Sequence, residues 1–141
     1  MQQMVQINSR PQDAYRRQDI LTASSLDLIV MLYDALKKNI ILGRKNINKQ
    51  NASAAHKHLI KAQEIVAELV NSLDMNYQIA EDLLSLYEYM LKNLEYANLH
   101  KDAETTETLD PLVDIVEDLR SAWSEISESN KGSLYASEGQ A

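Results

Sequence analysis

The chain has 141 residues, a formal net charge of −7, 45% hydrophobic side chains and 25% charged ones. This length suits one domain with its own core, and the composition is that of a globular protein. The acidic charge argues against nucleic acid or an anionic membrane surface as the main partner. Cysteine is absent, so no disulfide can stabilise the fold.

The sequence predicts neither a signal peptide in its first residues nor a membrane span. The opening stretch MQQMVQINSRPQDAY lacks the apolar core of a signal peptide. The longest apolar run, LIVMLY at 28–33, is far shorter than a membrane span. We therefore expect a cytoplasmic protein without membrane insertion.

The two ends differ in composition from the centre of the chain. Residues 1–18 are polar and contain Pro11, so they predict an N-terminal arm with at most one helical turn. Residues 129–141, SNKGSLYASEGQA, are small, polar and glycine-containing, which predicts a disordered tail. Residues 19–128 are expected to form the folded domain.

The first two segments of that domain have helical spacing. The first is predicted over 24–49, with Ser24 and Asp27 as a capping box. The second is predicted to begin near Asn51, a good N-cap residue. Apolar side chains recur every three or four residues in the two segments, at Ile29, Leu32, Leu36, Ile40, Gly43 and Ile47, and then at Ala55, Leu59, Ala62, Val66, Leu69 and Leu73.

The third and fourth segments repeat this pattern. The third is predicted to begin near Asn76 and the fourth between Ala103 and Pro111, where proline suits a first turn. Their apolar stripes are Ile79, Leu83, Leu86, Met90, Leu94 and Ala97, and Leu109, Val116, Leu119, Trp123 and Ile126. Four such helices with short polar connections predict an all-α, antiparallel up-down four-helix bundle.

Two of the predicted helices carry more apolar surface than one bundle seam requires. On the third, Leu84 and Leu91 lie on one flank, and Tyr89 and Tyr96 on the other; on the first, Leu28 and Met31 belong to a second stripe. We predict that Tyr87 is mostly buried and that the other two tyrosines keep accessible hydroxyls. The extra stripes either face neighbouring helices or form a groove for a partner's chain, and the spacing leaves both interpretations open.

No catalytic, cofactor-binding or metal-binding constellation is recognisable. Glycine occurs only at positions 43, 132 and 139, which excludes a phosphate-binding loop. His56 and His58 are two residues apart and point to different sides of a helix. The stretch HLIKAQ, residues 58–63, is similar to the His-x-x-Lys-Gly of histidine-phosphotransfer bundles, but Ala62 replaces the glycine. An exposed His and Lys on a polar face is the simpler interpretation, and a phosphotransfer bundle using His58 is the alternative.

Four motifs in order along the chain carry a wider resemblance. They are YRRQDILTASSLDLIVMLYDA at 15–35, LIKAQEIVAEL at 59–69, LYEYM at 86–90 followed by AN and KD at 97–102, and LRSAW at 119–123. Together they resemble the flagellin-specific export chaperones of the FliS family. Ser25 and Ala35 depart from the proline and glycine that are usual there, and both changes favour a longer or smoother helix.

The resemblance implies a chaperone function without cofactor or small-molecule substrate. Its expected partners are the disordered C-terminal segment of flagellin, which it protects from premature polymerisation, and a component of the flagellar export gate. A structural bundle that oligomerises through the same stripes is a further alternative. On this basis we assign a flagellin-binding apolar groove to Ile7, Tyr15, Leu21, Leu28, Met31, Leu84, Tyr87, Tyr89, Leu91 and Tyr96.

The arm itself has an apolar cluster. Met4, Val5 and Ile7 lie among glutamines. We hypothesise that this cluster covers part of the groove in the free protein and is displaced by flagellin.

Overall fold

The computed structural model describes the backbone of residues 11–140 and the side chains of residues 26–128. Over that backbone range the chain forms four helices and no strand: α1 (Pro11–Asn48), α2 (Ala52–Asn71), α3 (Ile79–His100) and α4 (Ala103–Gln140). The predicted all-α bundle is confirmed. Residues 31–122 form one compact unit, and residues 11–30 and 123–140 belong to a second.

Helix α1 begins earlier than the sequence predicted. It starts at Pro11, a residue type that suits a first helical turn, and continues through Ser24 without a break. Ser24 is therefore not a helix cap, and the predicted capping box with Asp27 is wrong. No proline or glycine lies between Pro11 and Gly43, so nothing stops the hydrogen-bond ladder. Residues 1–10 of the predicted arm lie outside the described residues.

The turn between α1 and α2 uses a left-handed residue and a side-chain cap. Gln50 has φ 59°, and its backbone N–H donates to the Ile47 carbonyl at 2.9 Å. The Asn51 side chain then accepts from the backbone N–H of Ala54 at 3.1 Å, as its predicted N-cap role requires. This short connection makes α1 and α2 antiparallel neighbours.

The end of α3 and the start of α4 are joined by two residues. Lys101 has φ 50°, and its N–H donates to the Ala97 carbonyl at 2.8 Å. The Asp102 carboxylate accepts from the backbone N–H of Thr105 at 3.0 Å, which caps α4. The chain therefore reverses sharply between these helices.

Helix α4 is longer than predicted at its C-terminal end. It begins at Ala103, within the predicted interval, so Pro111 lies inside the helix instead of in its first turn. Residues 129–140, predicted as a disordered tail, are helical to Gln140. No proline follows Pro111, and Gly132 and Gly139 weaken a helix without stopping it. The domain limits at residues 18 and 128 stay predictions.

The core of the unit formed by residues 31–122 takes side chains from all four helices. The α2 stripe is confirmed from Ala55 to Leu69, while Leu73 is half-buried. Ile79 is 60% exposed, so its assignment to the α3 core is wrong; it is the first residue of α3, beside the exposed turn. The buried apolar residues are Tyr33, Leu36, Ile40, Ile47, Ala55, Leu59, Ala62, Ile65, Val66, Leu69, Ala80, Leu83, Tyr87, Met90, Leu94, Ala97, Leu109, Leu112 and Val116.

Ion pairs show the register of α1 against α4. Asp34 pairs with Arg120 at 2.9 Å, Lys37 with Glu117 at 2.7 Å, and Arg44 with Asp110. Steps of three and seven residues forward along α1 match equal steps backward along α4, so the two helices run antiparallel. The hydrogen bond from Lys37, together with its positive charge, holds the pKa of Glu117 below its usual value.

In the second unit, the Ser127 hydroxyl donates a hydrogen bond to the Asp27 carboxylate, and Ser127 is buried. Trp123, predicted as a core residue, is half-buried, and Ile126 is exposed. The fully buried part of the apolar stripe predicted for α4 therefore does not reach these two residues.

Candidate functional site

Two tyrosines form an exposed aromatic ridge on α3. Tyr89 and Tyr96 are 49% and 50% exposed, as predicted. They are seven residues apart, so they lie on one face about two turns apart. The Tyr96 ring lies 4.1 Å from the ring of His100, centroid to centroid. We call Tyr89 and Tyr96 the tyrosine ridge.

Leu84 and Leu91 lie on a different flank of α3. Both are half-buried. At 3.6 residues per turn, Leu91 lies about 160° around the helix from Tyr89, and Leu84 about 140° from it. The structure therefore does not bring the leucine pair and the tyrosine ridge onto one face.

Helix α1 contributes one strongly exposed apolar residue to the predicted site. Met31 is 56% exposed in the unit formed by residues 31–122, and Leu28, in the other unit, is half-buried. Tyr15 and Leu21 lie on the described backbone of α1, but their side chains are outside the described residues, as is all of Ile7.

Tyr87 belongs to the core. It is 2% exposed, as predicted, and its hydroxyl forms a 2.6 Å hydrogen bond with the hydroxyl of the fully buried Tyr33. Burial raises the pKa of Tyr87, and the bond to Tyr33 opposes part of that rise. A partner on the surface cannot contact this ring, so Tyr87 supports the site from inside the bundle.

The sequence missed a group of exposed apolar residues at the α2–α3 connection. Met75, Tyr77 and Ile79 are 52%, 66% and 60% exposed. The helical period assigned Ile79 to the α3 core and gave the other two residues no role. The signal that could have found them is the change from a helical period to an alternation of large apolar and polar residues in MNYQI, residues 75–79.

His58 is less accessible than the polar-face interpretation predicted. It is half-buried, and its Nδ1 atom lies 3.1 Å from Oδ1 of Asn39 on α1. This contact gives His58 a role between α1 and α2, and no observation favours phosphoryl transfer.

A cleft of about 470 Å³ lies between α2 and the C-terminal end of α3. The His56 Nδ1 atom lies 3.1 Å from Oδ1 of Asn98 there. Gln63, Glu95, Leu99 and Lys101 complete the lining. Among residues 26–128 no group of His, Asp and Glu side chains could hold a metal ion, and no described helix is long and apolar enough to cross a membrane.

Comparison with known proteins decides the family. The model of the family described as "Flagellar protein FliS" matches residues 7–130. The chain belongs to the FliS family. Two motifs that carried the resemblance, LYDA and LYEYM, meet in this FliS chain through the Tyr33–Tyr87 hydrogen bond.

Curated relatives extend over most of this FliS chain. The flagellar secretion chaperone FliS of Bacillus subtilis is 31% identical over 129 residues, which cover 92% of this chain and 95% of the relative. The proteins of the same name from Salmonella typhimurium and Vibrio cholerae are 32% and 29% identical, over 77% and 74% of this chain and 80% and 76% of theirs. The family resemblance drawn from the sequence motifs is therefore confirmed.

Proposed function

We propose that this protein is a flagellar export chaperone that binds the disordered C-terminal segment of flagellin. It keeps that segment from polymerising in the cytoplasm and delivers it to a component of the flagellar export gate. The observation that carries the proposal is the match of the FliS family model to residues 7–130. No cofactor is needed, because holding a chain requires only surface complementarity.

The exposed apolar side chains supply anchors for such a segment. The tyrosine ridge and Met31 leave about half of their surface accessible, so a partner can bury it without unfolding the bundle. Tyrosine is favoured at binding hot spots because a rigid ring buries a large area while its hydroxyl stays hydrated. Methionine adapts its shape to different apolar partners.

The arrangement of these anchors favours a wrapping partner over a single docked helix. The Leu84–Leu91 flank and the tyrosine ridge point in nearly opposite directions from α3, so one straight helix cannot contact both. A disordered segment can follow the surface around the bundle as it binds. Such coupled folding buries about 1,000–3,000 Å² and loses several kcal/mol to ordering, which keeps the complex releasable at the export gate.

Residues near the start of the chain complete the proposed site. Ile7, Tyr15, Leu21 and Leu28 are assigned to it by the family resemblance. For Ile7 the proposed role is a cover: the cluster around it occupies part of the groove in the free protein and is displaced by flagellin. Deleting residues 1–13 should then tighten flagellin binding, and weaker binding would make Ile7 part of the contact instead.

The experiment is calorimetric titration of a flagellin C-terminal peptide into matched variants. Tyr89→Ser/Tyr96→Ser and Leu84→Ala/Leu91→Ala should each weaken binding at least about tenfold, which is about 1.4 kcal/mol. Tyr77→Ser, which removes a still more exposed tyrosine elsewhere, is the control and should bind normally.

Each outcome of the titration has a distinct meaning. Loss of affinity in only one double variant would contradict the wrapped arrangement and leave a single-face site. No binding by the unmodified protein would overturn the proposed function.

A further inference from the structure

The connection between α2 and α3 forms a second apolar surface. Met75, Tyr77 and Ile79 are each more than half exposed within five residues of chain. We call residues 74–82 the apolar turn. It is separate from the tyrosine ridge, because Tyr89 lies ten residues beyond Ile79, nearly three helical turns along α3.

Hydrogen bonds hold the backbone of the apolar turn in one conformation. The Asp74 carboxylate accepts from the N–H of Asn76 at 3.0 Å, and the Asp74 carbonyl accepts from the N–H of Tyr77 at 3.2 Å. The N–H of Ala80 donates to the Tyr77 carbonyl at 3.1 Å. A surface fixed in this way loses little conformational entropy when a partner binds, which favours recognition.

The charge along this stretch of the chain is of one sign. Residues 62–91 contain no lysine, arginine or histidine, whereas Glu64, Glu68, Asp74, Glu81, Asp82 and Glu88 are acidic. Three of these, Asp74, Glu81 and Asp82, are exposed in the apolar turn itself. A partner that placed an acidic side chain here would meet like charge, and a basic one would meet opposite charge.

We propose that the apolar turn is a docking surface for a protein segment with an apolar anchor flanked by lysine or arginine side chains. The anchor covers Met75, Tyr77 and Ile79, and the basic side chains lie near the acidic residues beside them. None of these three apolar side chains belongs to the proposed flagellin site, so on that proposed function we expect both partners to bind the bundle at the same time.

Two synthetic amphipathic peptides test the proposal. They share the same leucines, and their polar positions are lysine in one and glutamate in the other. Hydrogen exchange of the full-length protein, measured with each peptide, should show protection of residues 74–82 by the lysine peptide only. That protection should decrease as salt is raised, and it should persist when a flagellin C-terminal peptide is already bound. If flagellin does not bind, the two peptides still test the turn without it.

Variants separate the apolar and the charged contributions. Tyr77→Ser/Ile79→Ser should weaken binding of the lysine peptide about tenfold or more. Asp74→Asn/Glu81→Gln/Asp82→Asn should weaken it and flatten the salt dependence, and asparagine at position 74 keeps the side-chain acceptor of the turn. Tyr89→Ser/Tyr96→Ser, which removes a comparable exposed surface from the ridge, is the control and should bind normally.

Three results would overturn the proposal. Equal protection by the glutamate peptide would show that charge does not select the partner. Protection confined to other helices would place the basic segment elsewhere. Concentration-dependent dimerisation that Tyr77→Ser/Ile79→Ser abolishes would make a second copy of this chain the occupant.

Discussion

At the scale of single residues, Gly43 sets how closely α1 approaches α2. A Cβ atom built at this position would lie 2.8 Å from Cδ2 and 2.9 Å from Cγ of Leu59. Leu59 is fully buried and cannot move into solvent. The glycine therefore weakens the helix locally but permits the close contact between the two helices.

We expect Gly43→Ala to lower the free energy of unfolding by about 1–2 kcal/mol. The clash should outweigh the gain in helix propensity, which is about 1 kcal/mol. In a Leu59→Ala background the same change should be neutral or stabilising, because the colliding atoms are gone. Urea denaturation of the four proteins forms a double-mutant cycle, and a loss of stability in both backgrounds would contradict the close-contact explanation.

The Tyr33–Tyr87 pair gives stability a defined pH dependence. Burial raises the pKa of Tyr87 above its ordinary value of 10.0. Between the unfolded and folded pKa values the unfolded chain has lost the proton and the folded chain keeps it, so stability falls as pH rises. The contribution of Tyr87 to the free energy of unfolding is complete below pH 10 and is lost as pH rises through the raised pKa of the folded protein.

Tyr87→Phe should lower stability at neutral pH by about 0.5–1.5 kcal/mol through loss of the hydrogen bond. It should also flatten the decline in stability above pH 10, because phenylalanine does not titrate. Urea midpoints measured from neutral to alkaline pH test this, with Tyr89→Phe as the exposed control. An unchanged alkaline slope in Tyr87→Phe would show that other groups cause the decline.

At the scale of helices, the bundle seams were more predictable than the helix ends. The four-three spacing of α2 identified its buried face because each apolar side chain there meets the core. The helix ends were harder to predict, because a serine such as Ser24 is compatible both with a helix start and with a helix interior. Pro11 and the absence of later breakers decide where α1 begins, and the same absence extends α4 to Gln140.

The α1–α4 ion pairs are an element-scale feature that can be tested by exchanging charges. Asp34→Arg should place two cations together and destabilise the protein by up to about 1 kcal/mol, since both partners are partly exposed. Arg120→Asp should have a similar effect, and the double exchange should restore most of the loss. Thermal melts at low and high salt measure this, because salt should reduce both the loss and the rescue.

If the double exchange is no more stable than the single variants, the antiparallel register does not depend on this pair. Exchange of Lys37 and Glu117, one turn further along the same seam, then shows whether the neighbouring pair dominates.

At the scale of the whole molecule, the sequence predicted what the protein is better than where it binds. The family could be recognised because its motifs are distributed over the chain, and the fold because its period is repeated in four segments. The binding site was harder to predict from the sequence. Spacing places Leu84 and Tyr89 on opposite flanks of α3 and predicts that Tyr87 is buried, but the groove assigned from the sequence still included Tyr87, whose ring is 2% exposed. The apolar turn escaped notice because it has no helical period.

Flagellin binding should also stabilise the bundle as a whole, since the proposed site exists only in the folded protein. At a free peptide concentration of 100 Kd, the free energy of unfolding should rise by about 2.7 kcal/mol. The melting temperature should therefore increase with peptide concentration without reaching a plateau at stoichiometric peptide. In Tyr89→Ser/Tyr96→Ser the same peptide concentration should give a smaller increase, because Kd is higher. Tyr77→Ser/Ile79→Ser should keep the full increase, since the apolar turn lies outside the flagellin site. Equal increases in the unmodified protein and the ridge variant would exclude the tyrosine ridge from that site.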